Sequence, residues 1–115
     1  MTTHVRKPVL SLARSATTEP SDALLVERAR AGARSAEELI YARNVAAITG
    51  LCVRLLGNVE EAEDVVQDTF VDALEQLGSM RNPENLRGWL KSIAVHKVQR
   101  RFRRRYFFSP RGSIF

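Results

Sequence analysis

The sequence has a single cysteine in its 115 residues, Cys52. One cysteine cannot form a disulfide within the chain, and Cys52 lies in an apolar run, where it is expected to pack as a small hydrophobic side chain. No stretch approaches the roughly 18 consecutive apolar residues of a membrane-spanning helix, so we expect no membrane partner. The single cysteine is typical of a protein that works in a reducing compartment, and we expect a cytoplasmic location.

Residues that serve catalysis or metal binding are also scarce. The two histidines, His4 and His96, are far apart and have no cysteine or carboxylate at ligand spacing. There is no glycine-rich phosphate-binding loop. The acidic residues fall on one helical face, whereas catalytic carboxylates converge from several elements. We therefore expect neither an enzyme nor a metal or cofactor, and we interpret His96 as a surface or groove residue.

Basic residues are absent from residues 59–80, which contain seven acidic side chains and carry a net charge of −7. Residues 1–58 carry +3 and residues 81–115 carry +9, within a total of +5 for the chain. Charges of opposite sign are therefore concentrated in separate segments. A chain with this distribution is expected to meet two partners of opposite charge.

The acidic segment has the pattern of an amphipathic helix. Asn58 can cap it, and Glu61 follows at the capping-box spacing. Apolar residues then recur every three or four positions and so share one helical face, namely Ala62, Val66, Phe70, Ala73 or Leu74, and Leu77. The other face carries acidic and amide residues, namely Glu60, Glu61, Glu63, Asp64, Gln67, Asp68, Asp72 and Glu75. The apolar face predicts a core against which this helix packs.

A short helix is predicted earlier in the chain, from Ala23 to Ala31, with Ser21 or Asp22 as its cap and Gly32 at its end. Its apolar residues are expected to face inward, namely Leu24, Leu25 and Ala29.

A long helix is predicted next, opened by a capping box of Ser35 and Glu38 and closed by Gly57. It runs to about Leu56 and has a broad apolar face, made of Leu39, Ile40, Val45 or Ala46, Ile48, Leu51, Cys52, Leu55 and Leu56. Because the acidic helix follows almost at once, these two helices must be antiparallel neighbours.

The last helix is predicted to begin at Pro83 or Leu86, after a turn-rich loop, and to run to about Arg105. Its apolar seam consists of Leu86, Trp89, Leu90, Ile93, Ala94, Val98 and Phe102. No strand pattern is visible in the sequence. The fold class is therefore predicted as all-α, a compact bundle of about four helices.

The predicted domain organisation has three parts. Residues 21–106 form the helical domain. Residues 1–20 are rich in serine and threonine without useful periodicity, and we expect a disordered leader there. Residues 107–115 contain Ser109, Pro110 and Gly112, and an irregular tail is expected.

The other faces of the last helix are almost entirely basic, with Lys91, Lys97, Arg100, Arg101, Arg103, Arg104 and Arg105. Such density is typical of phosphate binding, although a solvated charged face or a localisation tract has the same composition. Residues that stack on bases or hydrogen bond to them lie nearby and favour nucleic acid, namely Asn82, Asn85, Trp89, Ser92 and Gln99. Trp89 is equally consistent with a core residue and with a wedge against an unstacked base.

The order of motifs closely resembles region 2 of an ECF-type bacterial sigma factor, of the sigma-70 family. The resemblance covers about residues 21–105 and is carried by SDALLVERARAG, AEELIYARN, LLGNVEEAEDVVQDTFVDAL and LRGWLKSIA. Its most specific parts are AEDVVQDTF, from Ala62 to Phe70, and GWLKSIA, from Gly88 to Ala94. The resemblance implies a sigma factor that binds RNA polymerase core and recognises and melts the promoter −10 element.

The resemblance also implies roles for residues. In the family, the acidic helix docks on the clamp coiled coil of the largest catalytic polymerase subunit, which assigns polymerase binding to Glu60, Asp64, Gln67, Asp68, Asp72 and Glu75. The next loop and helix hold the −10 non-template strand with a flipped base, which assigns DNA binding to Arg81, Asn82, Asn85, Arg87, Trp89, Lys91, Ser92 and His96. The basic residues that follow join this DNA set, namely Lys97, Arg100, Arg101, Arg103 and Arg104. An anti-sigma factor is a further partner that the resemblance allows.

The sequence departs from the family at three points. The family usually has asparagine where His96 stands and often has aspartate where Arg100 stands, so base preference at this face is expected to differ. No helix-turn-helix domain for the −35 element follows Arg105, so we expect a truncated, frameshifted or minimal sigma factor. Two alternatives remain open at this point, namely a stand-alone module that occupies the polymerase clamp and a general basic nucleic-acid-binding helical protein.

Overall fold

The computed structural model of the protein describes residues 19–108. Four α-helices account for most of this part, and we number them α1 (Asp22–Arg30), α2 (Arg34–Leu56), α3 (Val59–Glu75) and α4 (Leu86–Phe108). Two 3-10 turns, Leu77–Ser79 and Pro83–Asn85, connect α3 to α4. The all-α prediction is thereby confirmed. The predicted leader and tail lie largely outside the described residues, although α4 continues through Phe108 into the segment that we expected to be irregular.

Local capping explains where two of the helices begin. The Ser21 side chain accepts a hydrogen bond from the Leu24 N–H at 3.1 Å, and the Asn58 side chain accepts one from the Glu61 N–H at 2.8 Å. Each interaction satisfies a backbone donor that the first turn of a helix leaves without a partner. The predicted caps of α1 and α3 are confirmed.

The predicted capping box at the start of α2 is wrong. The helix begins at Arg34, with Ala33 as its cap residue and no side-chain capping bond, so Ser35 lies inside the first turn. The chain reverses at Gly32, whose φ is +97°, and the Ala33 N–H donates to the Arg28 carbonyl at 3.0 Å. This turn closes α1 and leads directly into α2, so the new helix starts before Ser35 can cap it.

The core face of α3 is wider than predicted. Ala62, Val66, Phe70 and Ala73 are buried as expected, and so are Val65 and Thr69. Leu77 is also buried, but it lies in the 3-10 turn beyond the end of α3. The Thr69 hydroxyl donates to the Val65 carbonyl at 2.7 Å, so its burial leaves no polar atom without a partner. Phe70 also meets the ring of Tyr41 edge-on, with 4.8 Å between the ring centroids.

The first two helices bury narrower faces than predicted. Leu24, Leu39 and Leu55 were expected to face inward, but each is 37–41% exposed. In α1 the buried face consists of Leu25, Val26 and Ala29, which leaves Leu24 to one side. Helix α2 buries every fourth residue, from Ala36 through Ile40, Asn44 and Ile48 to Cys52, so its other apolar residues lie at the edge of the core or outside it.

By length and composition, α2 is apolar enough to cross a membrane. A core helix of a soluble protein passes the same test. Here α2 buries one face against α1, α3 and α4, and 22% of its apolar window is buried. Cys52 lies within this contact, and burial raises the pKa of its thiol, which keeps it protonated and favours a packing role.

Helices α2 and α3 form an antiparallel hairpin, as predicted. Only Gly57 and Asn58 separate them, and Gly57 has a φ of +72°, a left-handed conformation that glycine adopts without strain. Helix α4 packs against both members of the hairpin through Leu86, Leu90, Ala94 and Val98. Trp89, Ile93 and Phe102 pack on the margin of this core, so the predicted seam of α4 is confirmed.

Candidate functional site

The exposed face of α3 carries a row of acidic and amide side chains, which we call the acidic stripe. It consists of Glu60, Asp64, Gln67, Asp68 and Glu75. Burial of the apolar face of α3 turns these side chains toward solvent. Val71 shares their helical spacing and is 54% exposed, which adds an apolar contact to the stripe. Among the side chains that the structure describes, Asp64 and Glu75 form no ion pair, so their charge is available to a basic partner.

Asp72 was predicted to act with the stripe, but its carboxylate forms an ion pair with Lys97 of α4. The side chain of Asp72 is 38% exposed and that of Lys97 is 17% exposed, so the pair bridges α3 and α4 at the edge of the core. It joins one residue predicted to bind polymerase to one predicted to bind DNA. Both roles stay predictions, and each would require the side chain to exchange or share its present partner.

The loop after α3 and the start of α4 form a concave surface of about 470 Å³, which we call the loop hollow. It is lined by Ser79, Met80, Arg81, Asn82, Asn85, Gly88, Trp89 and Ser92. Most of the loop residues predicted to hold DNA are therefore brought together in one place. Trp89 is half-buried, with part of its ring against the core and part on the hollow, so it occupies both of the environments that the sequence left open.

Gly88 allows the Asn85 side chain to lie against the first turn of α4. A Cβ atom at position 88 would stand 2.5 Å from Oδ1 and 2.8 Å from Nδ2 of Asn85. The backbone of Asn85 is held as well, because its N–H donates to the Asn82 carbonyl at 2.9 Å. The missing side chain at Gly88 thus determines where the Asn85 amide lies on the loop hollow.

Arg87 is bound to α2. Its Nε donates to Oδ1 of Asn44 at 2.9 Å, and its Nη2 donates to the Arg43 carbonyl at 2.6 Å. Asn44 is 1% exposed and itself donates to the Ile40 carbonyl at 2.8 Å. Arg87 therefore supplies the donor that a buried amide oxygen needs. A DNA contact by Arg87 stays a prediction, whereas its part in joining α4 to α2 is visible in the structure.

Two further hollows follow the groove between α3 and α4. The first, of about 320 Å³, is lined by Asp72, Gln76, Ser92, Ile93, His96, Lys97 and Arg100. It brings exposed His96 together with the two basic residues that follow it on α4. Lys91 and Arg103 are also exposed on α4, so the predicted DNA set is spread over several sides of this helix.

The second hollow, of about 120 Å³, we call the basic hollow. It is lined by Val65, Asp68, Lys97, Arg100, Arg101 and Arg104. Asp68 therefore belongs both to the acidic stripe and to a ring of cations, which the sequence did not indicate. Within residues 19–108, no three histidine, cysteine, aspartate or glutamate side chains come together as a metal site.

Sequence reasoning missed several residues that line these surfaces. Ser79 and Met80 help form the loop hollow, and Gln76 faces the neighbouring one. No motif singles them out, because a serine, a methionine and a glutamine near a helix end are common in any sequence. Their proximity to Trp89 and His96 depends on how α3 and α4 are packed.

The profile of the family described as Sigma-70 region 2 matches residues 40–107, which is more than half of the chain. The chain belongs to the sigma-70 region 2 family. The region 2 match includes most of α2, the whole of α3, both 3-10 turns and nearly all of α4. The acidic stripe, the loop hollow and the basic hollow all lie inside it.

Curated relatives of this region 2 chain are sigma factors by name. It is 34% identical over 82 residues to the RNA polymerase sigma-H factor of Pseudomonas aeruginosa, which covers 71% of this chain and 42% of that protein. It is 37% identical over 71 residues to the RNA polymerase sigma factor YlaC of Bacillus subtilis, and the match covers 62% of this chain and 41% of that protein. It is 38% identical over 55 residues to the ECF RNA polymerase sigma factor SigW of Bacillus subtilis, and the match covers 48% of this chain and 29% of that protein.

The chain spans about four tenths of the length of the first two of these relatives. The resemblance to ECF sigma factors stated from the motifs is confirmed. No solved structure gives a significant match to the chain.

Proposed function

We propose that this chain acts as region 2 of a bacterial sigma factor in the cytoplasm. In this proposal the acidic stripe binds the clamp coiled coil of RNA polymerase core, and the loop hollow holds the non-template strand of the promoter −10 element. The protein acts by binding and by deforming DNA rather than as an enzyme. Region 2 family membership and the names of the relatives support polymerase as the partner.

The observation that carries the proposal is the content of the loop hollow. A half-buried tryptophan stands beside two asparagine amides and an arginine in an open concavity of about 470 Å³. Unstacking a base costs a few kcal/mol, and stacking that base on an aromatic side chain contributes about 1–3 kcal/mol. The two asparagine amides provide hydrogen-bond donors and acceptors that suit the edges of bases. The surface therefore combines what an unpaired, sequence-selected strand requires.

The acidic stripe supports the other half of the proposal. Its carboxylates lie in one row along α3, on the side opposite the core, and they surround exposed Val71. A charged row with an apolar centre is suited to a helical partner that carries basic side chains, because charge guides the encounter and apolar contact adds affinity. The clamp coiled coil named by the family resemblance is a helical partner.

The test is made in two stages with the full chain. The first stage is copurification with polymerase core. The second stage measures, by anisotropy in the presence of core, the preference for a single-stranded −10 sequence over a scrambled one, and run-off transcription from promoter templates then reports initiation. Core binding together with preference for a single-stranded −10 sequence over a scrambled one supports region 2 function. Core binding without that preference would instead identify a stand-alone module that occupies the clamp. A chain that does not bind core at all contradicts the proposal.

The basic hollow favours a second candidate, sequence-independent nucleic-acid binding. Four cationic side chains converge there on α4, and phosphates are the ordinary ligands of such clusters. If this is the main activity, Arg100→Gln with Arg104→Gln should weaken binding to any DNA equally. The same pair should lower the slope of log affinity against log salt concentration by about one to two units. Anisotropy titrations across a salt series, without polymerase, provide the measurement.

A further inference from the structure

The side chain of Arg30, at the end of α1, binds the loop that forms part of the loop hollow. Its Nε donates to the Leu77 carbonyl at 2.8 Å, and its Nη2 donates to the Met80 carbonyl at 2.7 Å. These acceptors are 47 and 50 residues away in the sequence. The last residue of α1 therefore spans both ends of the first 3-10 turn after α3. Arg30 does not line the loop hollow itself.

The two carbonyls differ in how far their own turn satisfies them. The 3-10 turn makes only short bonds, from the Ser79 N–H to the Gln76 carbonyl at 2.9 Å and from the Met80 N–H to the Leu77 carbonyl at 3.2 Å. Beyond it Met80 is extended, with φ −70° and ψ 127°, so the helical bonding pattern stops there. The Met80 carbonyl therefore has no helical donor and must be satisfied from elsewhere, whereas the Leu77 carbonyl accepts from Arg30 in addition to the Met80 N–H.

Other contacts place these two hydrogen bonds of Arg30 between the core and the loop hollow. The side chains of Leu77 and Met80 are 3% and 5% exposed, so the core holds the turn from one side. Helix α1 also packs directly against both 3-10 turns. Met80 belongs at the same time to the wall of the loop hollow, beside Arg81 and Asn82. The Met80 backbone is thus the point at which the Arg30 guanidinium meets the predicted strand-binding surface.

Arginine is suited to this task for a geometric reason. Its guanidinium is planar and presents several N–H donors in a fixed fork, so one side chain can hold two carbonyls at a set separation. The lysine ammonium has the same charge but acts as a compact point on a flexible stem. Substitution by lysine therefore removes the geometry while it keeps the charge.

We propose that Arg30 is a positioning residue for strand recognition, because it holds the Leu77 and Met80 carbonyls and so sets the shape of the loop hollow before DNA arrives. The inference rests on the proposed function of the hollow. A loop that is already in place when the strand enters does not have to be ordered during binding, which improves affinity for the strand that fits. Arg30 acts through the loop and makes no contact with the strand in this proposal.

The experiment compares Arg30→Lys with Arg28→Lys in the full chain. Arg28 is exposed on the same helix and provides a matched control in charge and substitution. Hydrogen exchange is measured on the segment 77–85 and, for reference, on α3. Anisotropy with polymerase core then measures preference for a −10 single strand over a scrambled strand.

For Arg30→Lys we expect exchange in 77–85 to accelerate by roughly tenfold, while α3 and core binding stay unchanged. Preference for the −10 strand should fall by about tenfold, the factor that corresponds to one lost charge-assisted hydrogen bond. Arg28→Lys should alter neither quantity. Emission from Trp89, the single tryptophan, offers a further local readout on the wall of the hollow.

Each contrary result has a distinct meaning. Unchanged exchange in 77–85 shows that Arg30 does not hold the loop, and the inference fails. Faster exchange in 77–85 with undiminished strand preference shows that strand recognition does not depend on the loop held by Arg30, and this result also overturns the inference. Slower folding or uniformly faster exchange, with loss of core binding, assigns Arg30 a general structural role instead. If the wild-type chain binds core but shows no strand preference, the proposed function of the hollow fails, and the exchange result still decides whether Arg30 positions the loop.

Discussion

The acidic stripe and the loop hollow differ in how many parts of the chain are needed to build them. The stripe lies on one helix and follows from the spacing of its residues along α3. The hollow combines the two 3-10 turns, the loop between them and the first turns of α4, and Arg30 of α1 donates hydrogen bonds to the first of these turns. A surface on a single helix changes mainly where a residue is replaced, whereas an assembled site also changes when a distant support is removed.

The largest expected effect tests whether the two faces of α3 are as distinct as this comparison requires. Phe70 is 4% exposed and in contact with Tyr41, so Phe70→Ala should cost about 3–5 kcal/mol of unfolding free energy through lost burial and a cavity. Its neighbour Val71 is 54% exposed, and Val71→Ala should change stability by less than about 0.5 kcal/mol. Denaturant unfolding followed by circular dichroism measures both. Equal losses for the pair would contradict the assignment of the faces.

The next prediction concerns the stripe as a single-helix surface. Asp64→Ala with Gln67→Ala should weaken binding to polymerase core by about 2 kcal/mol, the range of an interface hot spot, and leave helicity unchanged. Glu27→Ala, on the exposed side of α1, removes a carboxylate outside the stripe and should have no effect. Titration against labelled core polymerase provides the measurement. Equal affinity for the double variant and the wild type would remove the stripe from the polymerase interface.

Substitutions of Trp89 test whether the loop hollow binds a base by stacking it on an aromatic ring. Trp89→Leu keeps an apolar side chain against the core but removes the ring, so stability should change little. Preference for the −10 strand should fall by about 1–3 kcal/mol, the value of one base stacked on an aromatic ring. Trp89→Phe, which keeps a ring, should retain most of the preference. Anisotropy with core polymerase decides this, and an unchanged preference for Trp89→Leu would show that the ring does not stack on the strand and that Trp89 acts through packing alone.

The smallest effect sharpens the comparison because stability and binding should move in opposite directions. Gly88→Ala places a Cβ where the Asn85 amide now lies, 2.5 Å from Oδ1, so the amide must move. Helix propensity favours alanine by up to about 1 kcal/mol, so the variant should be as stable as the wild type or slightly more stable. Strand preference should nevertheless fall by a few-fold, roughly 0.5–1 kcal/mol, as expected for one displaced hydrogen bond.

Gly50→Ala is the matched control for that variant. A Cβ at this position of α2 would stand 3.6 Å from Nη1 of Arg54, which is ordinary van der Waals contact. The substitution should therefore give a similar gain in thermal stability and no change in strand preference. A loss of preference for Gly50→Ala as large as that for Gly88→Ala would mean that the Asn85 contact is not the cause.

Much of the framework could be predicted because its causes are local. The periodicity of α3 and the caps at Ser21 and Asn58 depend on residues within one or two turns of each other. The prediction at Ser35 failed for a related reason. Its capping pattern is local too, but the preceding turn at Gly32 and Ala33 already starts α2 and so takes precedence.

By itself, the sequence determined the helices, the acidic face of α3, the basic character of α4 and the residues that resemble region 2. The tertiary structure decided which of these residues meet. It pairs Asp72 with Lys97, directs Arg87 to Asn44, and connects Arg30 to the loop after α3. The contacts of Arg87 and Arg30 join residues 43–50 positions apart. Helical spacing relates only residues within a few turns, so such contacts depend on how the helices pack around their shared core.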